Sequence, residues 1–244
     1  MENDKPNESA GPAMPSGRIA GLCYLVIIAG ALFGEAVVRG QLVVSGDPAA
    51  TARNIIEQET LYRIGLGVAL AYIPFNIPVI WVFARAFRAR FQSAAFLMTL
   101  LFMAAITIEA SNAVNLYVPA QLLLSEPAVN AQPEALRAML AFEALRTFSA
   151  GVAVSLIFFG LHCLTLGALI IRTRLIPWII GAIVIVGGLG YLLNSFAFMV
   201  APEVADLLFP FVLLPAFVGE LSLAVWLTLF GFSRRRWREA IDAS

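Results

Sequence analysis

The side chains best placed to do chemistry are polar groups set inside long apolar runs. They are Glu35, Glu109, Glu143, Arg146, His162 and Glu220, joined by Asn76, Asn112, Asn115 and Asn194. In hydrocarbon such groups are costly, so they face a bundle interior or a cavity, where a carboxyl can hold a proton or orient a ligand. Glu109, Asn112 and Asn115 follow in steps of three, which stacks them along one helix face. Glu35 and Arg39 stand one helical turn apart. Arg146 is the natural counter-charge for Glu109 or Glu35, and Arg63 is a second cation able to approach. Three uses compete. The groups can line a cavity for a small amphipathic ligand. Glu109 and Glu220 can relay a proton or ion, or act as acid or base on a lipid-like substrate. The whole set can also simply tie helices together, at about 0.6 kcal/mol per interaction in membranes.

His162 is the only histidine. Phe158 to His162 matches the Phe-x-x-x-His pattern of membrane metalloproteases, but that chemistry needs a second histidine. A mononuclear zinc site takes three or four protein ligands, and His162, Cys163 and Cys23 make at most three. Along a straight helix His162 lies about 28 Å from Glu143, so these two cannot cooperate. A hydrogen-bonded packing role is the expectation for His162, and no metal or cofactor is implied. The chain has no glycine-rich phosphate loop, no Gly-x-Ser-x-Gly elbow and no His-Glu-x-x-His.

The elements that must position these groups follow from composition. Of the 244 residues 60% are hydrophobic and 13% charged, against roughly 25% charged in soluble domains. Mean hydropathy is +0.86. A soluble fold would have too little polar surface, and a formal net charge of zero gives no basic balance for nucleic acid. A spanning helix needs about 20 apolar residues, and six stretches qualify: roughly 18–39, 62–84, 92–118, 144–171, 176–199 and 206–232. Helices are required because backbone groups in lipid must be paired within the chain. The expectation is an all-α bundle of six transmembrane helices over 17–233. A polar, disordered tail at 1–16 precedes it and a basic tail at 234–244 follows.

Lys5, Arg18, Arg85, Arg88, Arg90, Arg172, Arg174, Arg234, Arg235, Arg236 and Arg238 fall on one side of such a bundle. The other side carries fewer basic residues, so both termini are expected in the cytoplasm. The Arg234–Arg238 run with Trp237 reads as a surface anchor, with membrane lipids as partners. Asp47-Pro48 predicts a capped helix start. Gln132-Pro133-Glu134 predicts another, leading into a helix that runs to Ile171 over about 57 Å. Pro74 and Pro78 in the second span, and Pro210 and Pro215 in the sixth, predict bends or breaks.

On this reading Glu35, Glu109, Asn112, Asn115, Glu143, Arg146 and Asn194 all lie toward the outer side, and Glu220 near mid-span. They are the candidate ligand- or ion-binding residues of one outward-biased polar zone. The reading leans away from an enzyme, and no catalytic residue is assigned.

Three segments also carry a resemblance. They are Arg18-Ile19-Ala20-Gly21 through Val37-Val38-Arg39-Gly40, Phe158-Phe159-Gly160-Leu161-His162-Cys163 through Pro177, and Tyr191-Leu192-Leu193-Asn194-Ser195-Phe196 with Leu214-Pro215-Ala216-Phe217-Val218-Gly219-Glu220-Leu221-Ser222-Leu223. Together they resemble a bacterial multipass membrane family known as domain of unknown function 4386. The resemblance implies a multipass protein of the bacterial cytoplasmic membrane. It implies no activity and no site residue.

Overall fold

The computed structural model describes residues 14–125, 132–208 and 210–242. The expected tail at 1–16 lies outside them except for its last three residues. Among the described residues six helices are long and apolar enough to cross a membrane: α1 Gly17–Leu42, α3 Glu59–Arg88, α4 Gln92–Leu123, α5 Glu134–Thr173, α6 Trp178–Val200 and α8 Phe211–Leu229. Shorter helices accompany them: α2 Pro48–Glu57, α7 Pro202–Leu208 and α9 Arg234–Asp242. The described residues contain no strand. Successive spans run in opposite directions, so the start of α1 and the end of α8 share one side, here the termini side. The opposite side is the loop side.

Packing starts from small residues. Gly160 and Gly167 of α5 face Gly188 and Gly181 of α6. A methyl group on Gly160 would stand 2.8 Å from the Gly188 carbonyl oxygen, and one on Gly188 would stand 2.7 Å from that of Gly160. Repeated seven residues on, this lets the two backbones touch along a seam, the usual device where hydrophobicity alone does not pair helices. In addition α1 packs on α8 and α3, α4 on α5, and α6 on α8.

Two apolar cores result. The larger gathers Tyr24, Phe83, Phe87, Met98, Phe102, Leu166, Ile170 and Leu223, and reaches Trp237 of α9. The smaller lies on the loop side and joins Val38, Leu42, Ile55, Tyr62, Leu123, Ala138 and Leu145. The second core exists because α5 is one unbroken helix of 40 residues. At about 60 Å it is twice the hydrocarbon thickness of about 30 Å. Its first turns stand beyond the other spans, and α2 lies against them. Asp47 starts α2 as the sequence predicts: its Oδ1 accepts from the Ala50 amide at 2.9 Å, with Pro48 in the first turn.

The helix breaks are redistributed. In α3 the turn Ile73–Phe75 tightens to a 3₁₀ helix at Pro74. The amide of buried Asn76 donates to the Ile73 carbonyl there, at 2.9 Å. The expected break in the sixth span is instead a boundary. Residues 202–208 form α7, and Pro215 sits in the opening turns of α8, where a missing N–H costs nothing. A further irregularity had no sequence signal: Phe33–Arg39 of α1 is a π-helix.

Candidate functional site

Polar side chains gather on the loop side of α1, α3, α4 and α5. The π-helix ends on Arg39, a residue type that offers five N–H donors. One Nη of Arg39 donates to Ser149 Oγ of α5 at 2.8 Å, and the guanidinium lies 5.4 Å from the Phe148 ring centre. Its Nε stands 3.4 Å from a Glu35 carboxylate oxygen. That contact lacks hydrogen-bond geometry, so the buried Nε has no hydrogen-bond partner among the described residues. The Glu35 side chain is 66% exposed and that of Arg39 only 21%. The cation is therefore the enclosed member of the pair and the carboxylate the exposed one.

Next to it, Asn112 of α4 donates to the Phe148 carbonyl at 2.8 Å, and Asn115 donates to Asn112 Oδ1 at 2.9 Å. The absence of a side chain at Gly151 leaves room for the Asn112 amide. One turn toward the bundle centre, Glu109 accepts from the Tyr72 hydroxyl at 2.7 Å. Tyr72 occupies the last turn of α3 before the 3₁₀ segment, with its ring against Gly30 of α1. Tyr62 donates to the Leu116 carbonyl at 2.7 Å and closes the zone on the α3–α4 side.

Of the residues singled out from the sequence, Glu35, Glu109, Asn112 and Asn115 thus meet in one zone. The others do not. Arg146 bonds Glu143 at 3.0 Å on its own helix, with side chains 68% and 59% exposed. It does not reach Glu109 or Glu35. A contact three residues away on one helix forms without ordering a second element, and that local geometry wins. Arg63 likewise bonds Glu59 of its own helix at 2.6 Å. Asn194 is half-buried in α6 and makes no side-chain hydrogen bond to a described residue.

Glu220 forms a separate cluster. Tyr24 of α1 donates to its Oε2 at 3.0 Å and Tyr191 of α6 donates to its Oε1. The ring of Tyr191 also meets Phe159 edge-on, with centroids 5.6 Å apart. Phe159 and Phe102 in turn enclose His162, whose Nδ1 donates to the Met98 carbonyl at 3.0 Å. His162 is buried, with the two phenylalanine rings against it. Among the described residues no three His, Cys, Asp or Glu side chains could hold a metal.

Sequence reasoning missed the tyrosines. Tyr24, Tyr72 and Tyr191 each stand within an apolar span and away from its ends, a position where a hydroxyl needs an acceptor. That was the available signal.

These features define a class: a six-helix, membrane-spanning, all-α protein with clusters of polar groups at some of its helix interfaces. The family described as "Domain of unknown function (DUF4386)" matches residues 19–231, and the chain belongs to that family. No curated protein and no solved structure matches it.

Proposed function

We propose that this protein binds a small amphipathic molecule with an anionic head in the loop-side polar zone, with Arg39 as the recognising group. The observation that carries this reading is the state of Arg39. A guanidinium fixed by Ser149 and Phe148 keeps a buried Nε without a hydrogen bond, beside an exposed carboxylate that an anion can displace. π-Helical turns often mark functional sites, and this one ends on that arginine. On the clustering of basic residues, both termini are placed in the cytoplasm, which opens the zone toward the outer leaflet.

The test is calorimetric titration of purified protein in a neutral maltoside detergent with dodecyl phosphate. Arg39→Gln is expected to weaken binding about tenfold or more, since a hydrogen bond to a charged group is lost. Glu35→Gln is expected to strengthen it. Equal binding by the wild type and Arg39→Gln would sink the proposal.

A second reading, a structural or accessory membrane subunit, draws on a different observation. Glu109 and Glu220 are each hydrogen-bonded by tyrosines from neighbouring helices. On that reading Arg39→Gln and Glu109→Gln both lower stability and no ligand accompanies the purified protein. Native mass spectrometry of gently extracted protein separates the two.

A further inference from the structure

On the termini side a groove of about 480 Å³ opens between the end of α3 and the start of α4, lined by Ala84, Arg88, Gln92, Ala95, Phe96 and Thr99. Its volume falls within the range of ordinary ligand sites. The lining is graded. Arg88 and Gln92 stand at the mouth and are exposed. Thr99 lies about 10 Å deeper than Gln92 along α4, and Ala84, Ala95 and Phe96 supply an apolar floor and wall. The groove faces outward from the bundle, since Phe96 is 63% exposed.

Charge selects the occupant. No carboxylate among the described residues lies within ion-pair distance of Arg85, Arg88 or Arg90. Arg85 is instead laid over the ring of Trp81, 4.9 Å from its centre, and that ring is 55% exposed one turn from the groove. Tryptophan at such a position belongs at headgroup level. Arg88 makes no hydrogen bond to a described residue. Beside it α4 begins at Gln92 with no side-chain cap, so the free amides of the first turn add to the positive field at the mouth. A cation and an uncapped helix start above an apolar trough match a phosphate joined to an acyl chain.

We infer that this groove is a binding site for an anionic phospholipid of the termini-side leaflet, with the phosphate at Arg88 and Gln92 and an acyl chain along Ala84, Ala95 and Phe96. The site lies at the opposite end of the bundle from Arg39 and does not depend on the reading of that zone.

The experiment is native mass spectrometry of full-length protein titrated with phosphatidylglycerol, with phosphatidylcholine of the same chains, or with sodium phosphate. Wild type is expected to retain phosphatidylglycerol over phosphatidylcholine. Arg88→Gln should weaken the phosphatidylglycerol adduct about fivefold, as expected for one basic residue at an anionic surface, and leave phosphatidylcholine unchanged. Ala84→Leu, which fills the trough and keeps the charge, should weaken it as well. Arg53→Gln, an exposed basic residue of α2 at the other end of the bundle, should not. Equal retention by wild type and Arg88→Gln, an equal loss in Arg53→Gln, or displacement by sodium phosphate would each overturn the assignment.

Discussion

Tyr24 and Tyr191 donate to the two different oxygens of one carboxyl group, Glu220, and so tie α1, α6 and α8 at a single point. Each phenol is held by the same acceptor, which makes their effects dependent on one another. Tyr24→Phe and Tyr191→Phe should each cost about 0.6 kcal/mol, the usual size of a side-chain hydrogen bond inside a membrane protein. With Glu220→Ala already present, Tyr24→Phe should cost little further. Reversible unfolding in mixed micelles measures this cycle. Additive losses would show that the three groups do not act together.

Asn112 fills the place where a side chain on residue 151 would go. Gly151→Ala should therefore expel the amide, break its bond to the Phe148 carbonyl and destabilise the protein by about 1–3 kcal/mol, as overpacking does. The double variant Gly151→Ala with Asn112→Ala should recover part of the loss, because the displaced group is gone. No recovery in thermal unfolding would mean that the clash lies elsewhere.

The α5–α6 seam depends on backbone contact. Gly167→Ile should force the helices apart, since even a methyl group there would stand 2.6 Å from Ile185 Cγ1. The expected result is a marked loss of monodisperse protein on gel filtration. Gly34→Ala, where an added methyl group meets nothing within 4 Å, should behave like wild type.

Topology has a direct check. On the proposed orientation, with the termini in the cytoplasm, a cysteine in place of Ser45 in the α1–α2 turn should react with a membrane-impermeant maleimide on intact cells. A cysteine in place of Arg235 should react only after permeabilisation. The reverse pattern would invert the orientation and place the Arg39 zone on the cytoplasmic face.

The spans were legible because hydropathy, length and backbone pairing all give the same answer for a run such as 92–118. The Asp47 cap and the length of α5 were legible for a similar reason: both are local. What could not be read is which partner a polar group takes. Arg146 had a carboxylate three residues away and took it, whereas the sequence offers Glu109 and Glu35 on equal terms. Glu220 could be named as a buried acid, but its two phenols come from positions 196 residues before it and 29 before it. No periodicity connects such distant positions. The π-helix at Phe33–Arg39 contains no proline to announce it.

The length of α5 has a mechanical consequence. The helix carries no proline and no break from Glu134 to Thr173. It is gripped near one end by Ile55 and Leu123 through Ala138 and Leu145, and near the other by the main core through Leu166 and Ile170. One continuous backbone therefore takes part in both apolar cores, so a substitution that shifts the helix in one core is felt in the other.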